Sequence, residues 1–194
     1  MQEVFNVSIG RTPPRKEFQW FSEKKGENIV WVSIADMGSC GAFIADSSEY
    51  LTPSAIKRFN FKIVERGAVL LSFKLTVGRV AIADDNLVTN EAIAQLSNSD
   101  ERYREYLYCY LKQFEFDKLG STSSIATAVN SETIREMPFV VPQEKWLSDF
   151  HAAAWPMFEQ IRVLLKESRA LAATRDALLP KLMSGEIDVE KVEV

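Results

Sequence analysis

The chain has 194 residues, 46% of them hydrophobic and 26% charged, which is the composition of a folded globular domain and excludes an intrinsically disordered protein. No apolar run reaches the roughly 18 residues that a membrane span needs, so the sequence predicts no membrane insertion. The net charge of −4 excludes a uniformly basic nucleic-acid binder and leaves room only for local cationic patches.

The first 147 residues alternate short apolar runs with Gly, Pro and Asn turns, which is typical of a domain that mixes strands and helices. Runs of β-branched and aromatic residues predict strands at residues 29–32, 69–73, 76–82, 92–96 and 139–141. Gly78, inside the third run, indicates a bulge or a bend. The two cysteines lack the density of a disulfide scaffold and indicate a reduced, cytoplasmic protein.

Two helices are predicted in the same region. The first spans residue 100 to about 118, with Ser99 as its cap and an aromatic and aliphatic face that includes Tyr103 and Leu107. The second is short, beginning near Asn130 and ending before Pro138.

From about residue 148 to 184 the sequence predicts one long helix with a seam for another helix. Ten seam positions follow each other at alternating spacings of four and three residues, and eight are apolar. They are Phe150, Ala154, Met157, Ile161, Leu164, Ser168, Leu171, Arg175, Leu178 and Leu182. Pro156 predicts a kink or the true start of the helix. The alternative is a helix folded back on its own domain, although so short a domain cannot easily cover so long a seam.

The sequence offers no catalytic residue, no metal site and no cofactor site. His151 is the one histidine, and a lone histidine beside an apolar run is more often a surface or packing residue than a catalyst. Cys40 has no base in view, and there is neither a metal-ligand spacing nor a glycine-rich phosphate loop. These absences favour binding over catalysis.

Ordered motifs along nearly the whole chain resemble those of the specificity subunits of type I restriction-modification systems. The matching segments are residues 10–14, 29–37, 65–72, 76–81, 89–91, 120–122 and 175–187. Two places depart from the pattern: Glu91 replaces an amide, and the usual Pro-Pro-Leu before the helix is reduced to a single proline at Pro142.

The resemblance implies an α+β fold: a compact mixed α/β target-recognition domain with a small twisted sheet, followed by a long coiled-coil-type helix. We place the recognition domain at residues 1–147, the spacer and dimerisation helix at 148–187 and an acidic tail at 188–194. Family members carry two recognition domains and two helical regions in pseudo-twofold symmetry. This chain holds one of each and is either a fragment or a half-subunit that forms a homodimer; a starting Met close to the first motif favours the half-subunit.

The resemblance also implies a function and partners. Each recognition domain would read one half of a split site in double-stranded DNA. Methyltransferase and restriction subunits would dock on the helices and carry out the chemistry, so the chain itself would not be an enzyme. The alternative is a protein-interaction module that uses the helix without binding DNA; a recognition domain cut from a fused restriction enzyme is a third possibility.

The residues expected to contact DNA are cations and polar loop side chains. Arginine suits guanine because its fork is bidentate, and asparagine suits adenine. The candidates are Arg11, Lys24, Lys74, Arg79, Asn90, Ser121, Thr122 and Ser124. For each, the alternative is a solvated surface residue or a turn former. The residues expected to contact a partner helix are Phe150, Met157, Ile161, Leu164, Leu171, Leu178 and Leu182.

Overall fold

The structure is a computed structural model and describes residues 1–119 and 129–187. The strands are β1 (Asn6–Ile9), β2 (Phe21–Ser22), β3 (Ile29–Val32), β4 (Phe43–Ile44), β5 (Tyr50–Leu51), β6 (Val69–Ser72), β7 (Val80–Ala83), β8 (Val88–Thr89) and β9 (Ile93–Ser97). The helices are α1 (Ile34–Met37), α2 (Pro53–Arg58), α3 (Tyr103–Gln113), α4 (Ser131–Glu136) and α5 (Glu144–Met183), with 3-10 turns at Phe18–Trp20 and Phe116–Leu119. The chain divides into two structural units, Met1–Trp155 and Pro156–Val194.

The described strands of the first unit form two small mixed sheets. The larger has the order β1-β9-β6-β7-β4, with antiparallel pairs except for the parallel pair of β4 and β7. The smaller has the order β2-β5-β3-β8 and ends in the parallel pair of β3 and β8. The predicted α+β fold is confirmed, with two sheets where one was expected.

The core of the first unit lies around the central strands. Every residue of β6 and β7 is buried, which explains why both read as continuous apolar runs rather than alternating ones. Trp31 of β3 packs with Leu51 and Val88 in a second cluster that belongs to the smaller sheet. Full burial of a side chain of this size contributes roughly 1.5–3 kcal/mol, so these strands fix the positions of the loops that connect them.

The predicted strand at residues 139–141 is wrong. These residues have no strand partner among the described residues, and prolines stand directly on either side of them. Because proline has no N–H to donate, a ladder is interrupted at both ends. Side chains satisfy the carbonyls instead: the Tyr106 hydroxyl donates to Val140 O at 3.0 Å, and the Tyr110 hydroxyl donates to Pro138 O at 2.9 Å.

Three predicted boundaries also change. Helix α3 begins at Tyr103 instead of residue 100, and its cap position is held by Arg102 without a side-chain bond, so Ser99 is not its cap. The predicted strand at 76–82 begins only at β7, because residues 76–78 form a turn. Pro156 does not start the long helix, since α5 begins at Glu144.

The first three turns of α5 belong to the first unit and are fixed to α3 by charged contacts. The Glu105 carboxylate has no solvent exposure and bonds His151 Nδ1 and Arg104 Nε, each at 2.8 Å. The Arg104 guanidinium also lies 4.6 Å from the centre of the Trp155 ring. His151 is therefore a packing residue that pairs with a buried carboxylate. No described helix has the length and apolar character of a membrane span.

Candidate nucleic-acid interface

The strand directions bring several loops to one end of both sheets. β1, β3, β6 and β8 end there, and β7 and β9 begin there. We call the loops at this end, residues 10–13, 73–79 and 90–92, the loop edge. Backbone bonds join them: Arg11 N donates to Thr89 O at 2.8 Å, and Phe73 N donates to Ala92 O at 2.9 Å. Arg11, Lys74, Arg79 and Asn90 all lie on this edge.

Arg11 is exposed on the loop edge and its position depends on the glycine before it. A Cβ at Gly10 would lie 2.2 Å from the carbonyl oxygens of Thr89 and Asn90, so only glycine allows this approach. The Arg11 guanidinium donates to Phe59 O at 3.0 Å. Because this partner is a neutral carbonyl, the positive charge stays available to a phosphate.

Lys74 lies on the loop between β6 and β7, whose base is closed by buried Ser72. The Ser72 hydroxyl donates to Thr76 O at 2.5 Å and accepts from Arg79 N at 3.0 Å. Lys74 is exposed, and its Nζ lies 5.5 Å from the ring centre of Phe73. No carboxylate within residues 1–119 and 129–187 pairs with Lys74.

Arg79 lies at the base of the same loop but turns inward. Its Nη1 donates to Ile34 O at 2.5 Å, and a Cβ at Gly38 would lie 2.6 Å from the same nitrogen. The guanidinium thus provides a hydrogen-bond donor for a carbonyl of α1. A helix of four residues is too short for its own N–H groups to bond all of its carbonyls. The structure gives Arg79 a positioning role, and a direct base contact by this residue stays a prediction.

Helix α1 is also held at its other end. Ser33 caps it, and the Asp36 carboxylate accepts from Ser33 N at 2.8 Å and from Ser48 N at 3.0 Å. Burial raises the pKa of Asp36, but these hydrogen bonds from Ser33 and Ser48 outweigh burial and hold the pKa below its ordinary value. Ionised Asp36 therefore stabilises the surface on which Arg79 rests.

Asn90 shapes the loop edge through its side chain. Its Oδ1 accepts from Ala92 N at 3.1 Å, and its backbone N donates to Val32 O at 3.0 Å. Beside it, the exposed Glu91 carboxylate accepts a hydrogen bond from the Thr12 hydroxyl. Glu91 thus links two loops and places a negative charge between the cations of the loop edge.

The other polar candidates fall elsewhere. Lys24 lies before β3, at the opposite end of the sheets, where its neighbour Lys25 pairs with Asp85 across 3.9 Å. Ser121, Thr122 and Ser124 lie outside the described residues. The described chain ends before them at a 3-10 turn whose Phe116 ring would lie 3.1 Å from a Cβ at Gly78.

Sequence reasoning missed Leu75, which stands at the tip of the loop that carries Lys74. Its side chain is 97% exposed and its φ is +60°, in the left-handed region. An apolar β-strand pattern does not reveal a positive φ, and glycine or asparagine is the residue that signals one. The arrangement on the loop edge provides charge and shape for binding, and no described group of His, Cys, Asp or Glu is fit to hold a metal.

The predicted seam on α5 is split between the two units. Phe150 packs edge-on against Tyr106 of α3, with ring centres 5.8 Å apart, and so belongs to the aromatic cluster of the first unit. The remaining candidate seam residues lie in the second unit, where their side chains are 40–70% exposed. They are Met157, Ile161, Leu164, Leu171, Leu178 and Leu182.

The chain is similar to curated proteins along nearly its whole length. It is 25% identical over 191 residues to the type I restriction enzyme HindI specificity subunit of Haemophilus influenzae, covering 96% of this chain and 40% of that protein. It is 25% identical over 200 residues to the MjaIX specificity subunit of Methanocaldococcus jannaschii, covering 98% and 44%. The chain thus spans less than half the length of these relatives, which are specificity subunits and hence non-catalytic.

Solved structures show the same fold. The HsdS subunit from Thermoanaerobacter tengcongensis superposes with a TM-score of 0.56 at 18% identity, over 96% of this chain and 44% of that chain. The type I restriction-modification S subunit from M. genitalium gives 0.59 at 15% identity, over 94% and 44%. The profile of the type I restriction modification DNA specificity domain matches residues 1–146, and the chain therefore belongs to this family.

Proposed function

We propose that the chain is a half-subunit that reads one half of a bipartite DNA site through its loop edge and pairs with a second copy through α5. The observation that carries the proposal is the gathering of Arg11, Lys74 and Asn90 at one end of rigid, buried strands. On this proposal residues 1–147 are the recognition domain, and the protein works in the cytoplasm beside its DNA.

The charges of the loop edge support contact with a phosphate backbone. Arg11 and Lys74 are exposed, and neither pairs with a carboxylate among the described residues. Phosphate contacts position a protein on the duplex, whereas groups at the groove edge select the sequence. Asn90 is the described side chain best suited to select adenine. Its bond to Ala92 N uses the amide oxygen and leaves the amide nitrogen able to donate to a base.

The seam of α5 is self-complementary in an antiparallel pair. If Ser168 faces Leu171 of a second copy, then Met157 faces Leu182 and Ile161 faces Leu178 in the same register. The seam alternates between the a and d positions of a heptad. Each of these pairs brings an a position of one chain against a d position of the other, which is the arrangement of an antiparallel coiled coil. The seam from Met157 to Leu182 measures about 38 Å at 1.5 Å per residue. That length corresponds to roughly 11 base pairs, about one turn of DNA.

The apolar surface of α5 is wider than one partner helix covers. Leu179 and Val163 lie outside the seam and are 46% and 43% exposed. A two-helix seam buries two positions in each heptad, whereas a helix inside a bundle uses a third. The extra surface supports docking of the methyltransferase subunits, and through them the restriction subunit, on the paired helices.

Sequencing of modified bases in the host, with and without this gene, tests the function. We expect a two-part methylated motif that disappears when the gene is deleted. If the set of methylated motifs is unchanged after deletion, the proposal is overturned. That result would favour the alternative, a protein-interaction module that uses the helix without binding DNA.

Substitutions test the loop edge itself. Arg11→Ala and Lys74→Ala should each weaken duplex binding and lower the slope of log affinity against log salt by about 1. Lys24→Ala is the matched control, because Lys24 is an exposed lysine at the opposite end of the sheets. A salt slope that changes with Lys24→Ala but not with the other two substitutions would place the DNA at the end opposite the loop edge and overturn the proposed interface.

A further inference from the structure

Leu75 combines two features that isolated surface leucines do not share. Its side chain is 97% exposed, and its backbone adopts φ +60°, which is unfavourable for a residue with a Cβ. A single exposed leucine is ordinary on a protein surface. A leucine held in the left-handed region, where glycine would fit without strain, is a feature of functional loops.

The loop beneath Leu75 is rigid enough to maintain this conformation. Ser72 is fully buried, and its hydroxyl bonds both Thr76 O and Arg79 N. Gly78 N also donates to Ser72 O at 3.0 Å. These bonds close the loop at its base, so the Leu75 side chain extends into solvent in a fixed direction. Binding then does not have to order the loop, which lowers the entropy cost of binding.

We propose that Leu75 is a specificity-determining residue that contacts the C5-methyl group of a thymine in the DNA target. The proposal rests on the function proposed above. Lys74 is adjacent in the chain, and among the described residues no carboxylate pairs with its ammonium group, which is therefore suited to a phosphate. The loop that would meet the DNA backbone thus also carries the apolar tip. The thymine methyl is the apolar group that base edges offer in the major groove.

The experiment compares the sequences selected by wild-type and variant complexes. The complex is purified from its host through a tag on this chain and incubated with a randomised duplex pool, and the bound duplexes are sequenced. The variants are Leu75→Gly, which relaxes the backbone, and Leu75→Asn, which tolerates the left-handed region but is polar. Val140→Gly is the control, because it removes an exposed valine outside the loop edge.

We expect the wild-type motif to contain a thymine whose preference is lost with both Leu75 variants and kept with Val140→Gly. Replacing that thymine by uracil removes one methyl group and should weaken wild-type binding about fourfold. The same replacement should leave the binding of Leu75→Gly unchanged.

Two results overturn the inference while leaving the proposed function intact. One is an identical motif for the wild type and both Leu75 variants. The other is an equal effect of every thymine-to-uracil replacement on the wild type and on Leu75→Gly. If the wild-type complex selects no motif at all, the proposed function fails, and the inference fails with it.

Discussion

If two chains pair through α5 as proposed, Leu171→Glu should separate them without unfolding either one. Leu171 stands near the centre of the seam, faces Ser168 of the second copy in the inferred register, and is 70% exposed in this chain. Burying a whole leucine contributes about 1.5–3 kcal/mol, so covering that exposed part contributes roughly 1–2 kcal/mol per chain. A dimer loses this twice, about 2–4 kcal/mol, which raises its dissociation constant by roughly 30- to 1,000-fold.

Sedimentation equilibrium over a range of concentrations measures this dissociation constant. Ala173→Glu is the matched control, because residue 173 is exposed and lies about 200° around the helix from residue 171. Glutamate is a good helix former, so helical circular dichroism should be equal in both variants. Equal dissociation constants for the Leu171→Glu and wild-type dimers would refute the proposal that the chains pair through this seam. A wild type that stays monomeric, together with a lower melting temperature for Leu171→Glu but not for Ala173→Glu, would instead indicate a helix that covers its own domain.

The other predictions concern the first unit. Glu105→Ala should lower the free energy of unfolding by about 1–3 kcal/mol in urea titrations, because it removes the buried carboxylate that both Arg104 and His151 contact. Glu101→Ala, at an 81% exposed side chain, should change it by less than about 1 kcal/mol. Leu75→Gly should raise the stability by about 1 kcal/mol, and a lower urea midpoint would contradict strain at this position. Asp36→Asn should destabilise at pH 7. Because the folded pKa of Asp36 is lowered, the difference from wild type should shrink as the pH falls below about 4 and vanish below the folded pKa.

Long buried strands were predictable from sequence, and very short ones were not. β3, β6, β7 and β9 each contain four or five residues with apolar character, enough to form a recognisable run. β2, β4, β5 and β8 have two residues each, too few for any periodicity. Their pairing is set by tertiary contacts, and three of them, β2, β5 and β8, join β3 in the second sheet that the sequence did not predict.

The candidate site was predictable by residue type but not by placement. Arg79 was expected to read bases because it is a cation whose bidentate fork suits guanine. Its partner, the carbonyl of Ile34, belongs to a four-residue helix that the sequence reading did not detect. Lys24 was expected on the same grounds as Lys74, but strand direction, visible only in the fold, places the two lysines at opposite ends.

On the proposed function, the distribution of burial on the loop edge would let such a domain change its DNA target without losing its fold. The residues that hold the edge are fully buried, among them Ser72, which acts through its hydroxyl and its backbone, and Thr89, whose carbonyl binds Arg11 N. The side chains that would meet DNA, Arg11, Lys74 and Leu75, are exposed and contribute little to the core. Surface substitutions usually change stability by no more than about 0.5 kcal/mol, so Arg11 and Lys74 are free to vary, whereas Leu75 can vary among residues that tolerate its positive φ. Arg79 is the exception, because α1 depends on it, and its substitution should change stability as well as binding.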